Sequence, residues 1–130
     1  VGVSEDNQKK RVLVVDDDLL FRELISRLFS TIGCTPEIAA DGTEALSKLE
    51  GNSFDLVVSD IRMPSMDGLT LLQIMQSRLD LETTPVVLIS SEPAHRTATL
   101  KAGANLFLDK SQLTLRTVQE MINKLHGTSR

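Results

Sequence analysis

Short unbroken apolar runs alternate with stretches of helical periodicity along almost the whole chain. Residues 12–15 form the first run. Leu20, Leu24, Ile25 and Leu28 follow at helical spacing, and Gly33 reads as the stop of that helix. Residues 35–39 predict a second strand. Asp41 and Glu44 then form a capping pair for a helix holding Ala45, Leu46 and Leu49, with Gly51 as its stop. Residues 56–59 predict strand three, and Leu69, Leu72 and Met75 mark one face of helix three. Residues 86–89 predict strand four, followed by a short helix that runs to about residue 102 and closes at Gly103. Residues 106–108 predict strand five, and Leu115, Val118, Met121, Ile122 and Leu125 give helix five.

Strands that read as continuous apolar runs belong to a parallel sheet covered on both faces. Five alternating units therefore predict a single doubly wound α/β sandwich, a five-stranded parallel sheet with five helices. A chain of 130 residues is the size of one domain with one real core. The expected division is a flexible N-terminal segment at 1–10, the folded domain at 11–126 and a tail at 127–130. A start at Val1 rather than Met is expected of either a processed chain or a piece of a longer protein.

Charge and composition narrow the class further. The net charge of −4 argues against direct gripping of nucleic-acid phosphates, which calls for a basic patch. The apolar runs are too short to span a bilayer, and residues 1–11 carry no signal-peptide pattern. No membrane insertion and a cytoplasmic location are expected. Cys34 is the only cysteine, which excludes an internal disulfide; a small packed residue is its expected role.

In doubly wound sheets, ligands sit beyond the carboxyl ends of the strands. Those ends carry Asp16 and Asp17 after strand one, Asp60 after strand three, Ser90 after strand four and Lys110 after strand five; strand two ends in Ala39 and Ala40 and offers nothing. Two carboxylates at about 4 Å repel by roughly 4 kcal/mol at an effective dielectric near 20. A cluster of three takes up protons or holds a hard divalent cation, and Mg²⁺ suits oxygen ligands beside a phosphate. Asp17 and Asp60 are read as direct ligands, with Asp16 acting through a coordinated water. A carboxylate can also attack phosphorus. Lys110 and Ser90 then match oxygens of the transferred group, whose chemistry is mostly positioning and neutralisation. Taken singly, each residue has a plainer reading. Asp18 looks like a helix cap, Asp60 can be a turn residue, Ser90 a helix start and Lys110 a solvated charge. Their common place at successive strand ends favours the functional reading.

These residues resemble a known family, the response-regulator receiver domain of two-component signalling. VLVVDDD resembles its acidic segment, DLVVSDIRMPSMDGLTLL its phosphoacceptor segment, PVVLISSE its hydroxyl-bearing strand end, and AGANLFLDK the strand ending in a lysine. The resemblance covers about residues 10–126. It implies a flavodoxin-like strand order 2-1-3-4-5, phosphorylation of Asp60, and Mg²⁺ held by Asp16, Asp17, Asp60 and the Arg62 backbone carbonyl. It further implies phosphate contacts from Ser90 and Lys110, and a switch in which Ser90 and Phe107 move and reshape the face of helix four, strand five and helix five. Implied partners are a histidine kinase or histidine phosphotransfer protein and an unknown output domain or protein; the switch face also offers a route to dimerisation. Arg62 and Glu92 are placed to tune the lifetime of the phosphate.

The sequence departs from the family pattern in three places. Ser90 stands where threonine is frequent, the helix after it looks short, and Ser111 follows Lys110 where proline in a cis bond is usual. A non-proline cis bond costs about 3 kcal/mol, which favours a trans 110–111 bond. The chain is thus expected to be a phosphoacceptor with chemistry on itself rather than an enzyme in the usual sense. Two other classes remain. One is a phosphate-independent interaction module with a degenerate site. The other is a haloacid-dehalogenase-type phosphatase using the Asp16/Asp18 pair, although Glu120 is the only carboxylate side chain after Lys110. His95 and His126 are expected to be surface residues.

Overall fold

The computed structural model describes residues 10–128, with side chains described to residue 125; most of the proposed N-terminal segment and the last two residues of the proposed tail lie outside that range. Five strands, β1 (Arg11–Val15), β2 (Thr35–Ala39), β3 (Leu56–Asp60), β4 (Val86–Ser90) and β5 (Leu106–Asp109), alternate with α1 (Leu19–Thr31), α2 (Gly42–Leu49), α3 (Gly68–Gln76), α4 (His95–Lys101) and α5 (Leu115–Thr128). All pairings are parallel, in the order β2-β1-β3-β4-β5. This is the doubly wound sandwich expected from the alternation, in the flavodoxin-like strand order that the resemblance implied. The order reverses at β1, so a crevice opens between the carboxyl ends of β1 and β3.

The alternation of side chains along β1 builds two cores. Val12 and Val14 pack with Ile25 and Phe29 of α1 and Val118 and Met121 of α5. Leu13 and Val15 pack on the other face with Ala45 and Leu49 of α2 and Leu71, Leu72 and Met75 of α3. The two edge strands, β2 and β5, are the partly exposed ones, and the β2 edge tolerates Pro36.

The helix boundaries follow from local chemistry. Asp18 caps α1 by accepting the Leu20 and Phe21 amides. Asp41 accepts the Glu44 amide, and the Glu44 carboxylate returns to the amide of Ala40, one residue before the cap. Gly33 follows α1 with φ 100, a left-handed conformation that costs a Cβ-bearing residue more.

The helical spacing of Leu20, Leu24, Ile25 and Leu28 marks the helix α1 but not its buried face. Leu20 is 77% exposed and Leu24 44%, while Ile25 and Phe29 are fully buried. Successive helical residues differ by about 100°, so Leu20/Leu24 and Ile25/Phe29 form adjacent stripes, and only the second faces the sheet. Cys34 is buried as a small packed residue, and burial pushes its thiol up to about 11. No helix among the described residues is long and apolar enough to cross a membrane.

Candidate functional site

Asp16 follows the last residue of β1 and is fully buried; Asp17, next to it, is exposed. The Oδ1 atom of Asp16 accepts the Asp18 amide at 2.9 Å, which fixes the carboxylate inward. Asp60 ends β3, one strand across, and is also buried. Asp16, Asp17 and Asp60 each offer a carboxylate oxygen within 4.8 Å of the others. The sheet thus brings together the three carboxylates that the sequence placed at strand ends.

Lys110 reaches into this cluster from the residue after β5. Its ammonium lies 3.1 Å from Asp16 Oδ2 and 3.3 Å from Asp60 Oδ2, with 12% of the side chain exposed. The same ammonium stands 4.4 Å from the ring centre of Phe21 on α1, a cation–π contact that sequence spacing did not reveal. The described residues contain no cis peptide bond, so the 110–111 bond is trans. Lys110 instead opens a single 3₁₀ turn, Lys110–Gln112. Asp109 caps that turn by accepting the Ser111 amide at 2.9 Å, and the Gln112 side chain reaches back to the Asp109 amide at 3.4 Å. The capping box was legible as Asp-x-x-Gln, a signal the reading passed over.

Burial raises the Asp60 carboxyl to about 6; the neighbouring Asp16 charge raises it too, and Lys110 opposes both. Asp16 is likewise raised by burial, against the Asp18 amide and Lys110. Burial pulls Lys110 down, but the two carboxylates outweigh it and the net shift is upward. One ammonium among three carboxylates leaves the site short of positive charge. Asp16, Asp17 and Asp60 therefore suit a divalent cation: a hard oxygen set whose negative charge exceeds what the one ammonium balances.

The loop after β3 shapes the rim. The Gly68 amide donates to the Ile61 carbonyl at 2.8 Å, and a Cβ on Gly68 would overlap the Asp60 carbonyl oxygen. Only glycine lets α3 start this close to the strand carrying Asp60. Above the site lies an open groove of about 600 Å³, lined by Asp17, Arg62, Met63, Pro64 and His95 among others. Arg62 projects from the loop, with Nε 2.9 Å from Glu92 Oε1; both side chains are substantially exposed.

Ser90 is buried at the end of β4. Its hydroxyl accepts the Glu92 amide at 2.9 Å and pairs with His95 Nδ1 at 2.8 Å. His95 is therefore half-buried and engaged, which corrects its reading as a surface residue; the side chain of His126 lies outside the described residues. Nothing in the periodicity could have found the pair, because it depends on how a seven-residue α4 is entered. Phe107 of β5 is buried in the core cluster that also holds Leu88, Leu71 and Met75, with the Arg96 guanidinium 5.2 Å from its ring centre. Asp18 is engaged as the α1 cap and stands apart from the cluster.

The chain matches the family described as response regulator receiver domain over residues 12–123. It belongs to that family. The Regulator of RpoS of Escherichia coli (strain K12) is 39% identical over 115 residues, 87% of this chain and 34% of that protein. The Gliding motility regulatory protein of Myxococcus xanthus is 33% identical over 120 residues, 91% of this chain and 15% of that protein. The chain thus spans about a third or less of the length of these relatives. Among solved structures, the response regulator TrrA of Thermotoga maritima, in complex with Mg(2+)-BeF, aligns with a TM-score of 0.80 at 28% identity, covering 89% of this chain and 98% of that one. The protein is a receiver domain of two-component signalling, a class of phosphoacceptors rather than classical enzymes, and its acidic cluster fits a phosphorylation site.

Proposed function

We propose that Asp60 accepts a phosphoryl group from a histidine kinase or a histidine phosphotransfer protein, and that the resulting charge reshapes the face formed by α4, β5 and α5. The observation that carries this is the convergence of Asp16, Asp17 and Asp60 within 4.8 Å, with the Lys110 ammonium against two of them. At neutral pH a carboxyl near 6 is mostly ionised, so Asp60 is available as the nucleophile. One of its oxygens bonds to phosphorus as the phosphorus–nitrogen bond of the donor phosphohistidine breaks, and the imidazole leaves as the neutral ring after taking a proton. Lys110 is placed to pair with one oxygen of the transferred group, and the Ser90 hydroxyl with another once it turns inward.

Asp16, Asp17, Asp60 and the Arg62 carbonyl would hold Mg²⁺, which supplies the positive charge that a phosphoryl group needs beside three carboxylates. The Mg(2+)-BeF complex of the related TrrA domain supports that assignment. The exposed Arg62–Glu92 pair edges the groove and is placed to govern the approach of hydrolytic water, and so the lifetime of the phosphate. The phosphatase reading requires Asp18 beside Asp16, and Asp18 is occupied at the α1 cap. An unaided interaction module leaves the buried charge at Asp60 without a role.

Intact-mass measurement after incubation with acetyl phosphate and Mg²⁺ tests the proposal. The expected result is a gain of one phosphoryl group that requires Mg²⁺ and disappears in Asp60→Ala. No gain favours a phosphate-independent module, and a phosphoryl group found on Asp16 favours the phosphatase.

A further inference from the structure

The Ser90 hydroxyl has one proton, and the hydrogen-bond pattern around it decides where that proton goes. The Glu92 amide must donate, so Ser90 Oγ accepts from it at 2.9 Å. On the other side Oγ meets His95 Nδ1 at 2.8 Å. The far nitrogen of the ring, Nε2, lies 3.5 Å from Glu92 Oε1, and that carboxylate oxygen also takes Arg62 Nε at 2.9 Å. With the Glu92 amide donating to Oγ, the hydroxyl proton finds its acceptor when the Nδ1 lone pair of the ring receives the Ser90 O–H, which leaves the ring proton on Nε2, facing the Glu92 carboxylate. The ring is thereby tied to Ser90.

The start of α4 depends on this ring. Its N-cap position is Ala94, which provides no side-chain cap. His95, the first residue of the helix, is tied by its main chain to the Glu92 carbonyl and by its side chain to the end of β4. Three of the other helices begin instead at a capping aspartate, Asp18, Asp41 or Asp67. The first turn of α4 is therefore pinned to the sheet through the hydroxyl that a phosphoryl group at Asp60 would also need.

We propose that His95 is a positioning residue that holds the Ser90 hydroxyl on the α4 side, so that the phosphoryl group and His95 compete for the same proton and phosphorylation releases the start of α4. This rests on the reading of Asp60 as the phosphoacceptor. A partner that stabilises the hydroxyl only in the unphosphorylated arrangement lowers the affinity of the site for phosphate by linkage. Losing one hydrogen bond of that kind shifts an equilibrium by roughly fivefold. The signal leaves through α4, whose Arg96 already stands over the ring of Phe107.

The test uses beryllofluoride with Mg²⁺ as the phosphoryl mimic, titrated calorimetrically into the wild type, His95→Ala, His95→Asn, Ser90→Ala and the Ser90→Ala/His95→Ala double variant. His95→Ala is expected to bind beryllofluoride roughly fivefold more tightly, with its affinity for Mg²⁺ alone unchanged. His95→Asn, whose amide can take the place of Nδ1, is expected to return toward the wild-type value. In the Ser90→Ala background the effect of His95→Ala is expected to vanish. Equal affinity in His95→Ala and the wild type overturns the proposal, and so does an equal gain in the Ser90→Ala background. A second readout needs no phosphate chemistry: the ¹⁵N resonance of His95 Nδ1 in the ligand-free protein is expected to shift in Ser90→Ala. An unchanged resonance shows that the ring does not hold the hydroxyl, and also overturns the proposal. Failure of the underlying reading is visible separately, as a wild type that takes neither beryllofluoride nor a phosphoryl group.

Discussion

The ammonium of Lys110 lies 3.3 Å from the carboxylate of Asp60, on the far side of two strand boundaries and fifty residues along the chain. It is the charge that makes a buried carboxylate tolerable there, because it opposes both the burial and the Asp16 repulsion that raise Asp60. Lys110→Met keeps much of the stem and removes the charge. The Asp60 carboxyl is then expected to titrate above its present value near 6, read by carboxyl ¹³C shifts against pH. Breaking a buried ion pair from one side also costs on the order of 3 kcal/mol, and denaturant unfolding at pH 8 should show the loss. An unmoved Asp60 titration would mean that the ammonium does not act on that carboxylate.

The raised Asp60 carboxyl makes stability pH-dependent with a definite sign. The folded state holds this proton up to about pH 6, whereas the ordinary value is 3.8, so the folded chain binds more protons across that window. Stability from this group is therefore greatest below about pH 4, falls as pH rises through 6 and is flat above. In the absence of divalent cations, Asp60→Asn is expected to stabilise the fold at pH 7.5 by on the order of 1–3 kcal/mol. Thermal melts should show that gain shrinking as pH approaches 4. Added Mg²⁺ is expected to raise the melting temperature of the wild type well beyond that of Asp60→Asn.

Much of this site was legible because strand ends are a one-dimensional property. Asp16, Asp17, Asp60, Ser90 and Lys110 each terminate or follow an apolar run, and the parallel order carries all five to one edge. What the sequence did not reveal depends on three-dimensional choices that periodicity leaves open. The Leu20/Leu24 stripe of α1 is as apolar as the Ile25/Phe29 stripe, and only packing against Val12 and Val14 selects the second. Phe21 meets Lys110, and His95 meets Ser90, across gaps that no residue spacing encodes.

Gly68 holds the site from behind. Its α-carbon lies so near the Asp60 backbone that a methyl group there would overlap the carbonyl oxygen, and backbone cannot turn aside as a flexible side chain can. Gly68→Ala is therefore expected to push β3 and α3 apart, destabilising the fold by about 1–3 kcal/mol through overpacking. Mg²⁺ affinity should fall with it, because Asp60 moves relative to Asp16 and Asp17. By contrast, Gly51→Ala, at an open position, has no neighbour to displace and pays only for its φ of 80. Calorimetric Mg²⁺ titration of both variants separates the two causes: a loss confined to Gly68→Ala ties it to the position of Asp60.

Ser111 shows how the trans bond after Lys110 is accommodated. Its amide and its hydroxyl both bond to Asp109 Oδ1 at 2.9 Å, and this pair begins the 3₁₀ turn from which the lysine side chain leaves. Proline at 111 removes the amide donor and disfavours the helical backbone of the residue before it, which here is Lys110. Ser111→Pro is thus expected to lose about 1–2 kcal/mol of stability, the scale of a lost cap, and to draw Lys110 away from Asp60. The Asp60 titration should then rise as it does in Lys110→Met. Ser111→Ala keeps the amide and loses only the hydroxyl contact, so its titration should stay near that of the wild type. If the proline and alanine variants titrate alike, the amide-capped turn is not what delivers the ammonium to the acidic cluster.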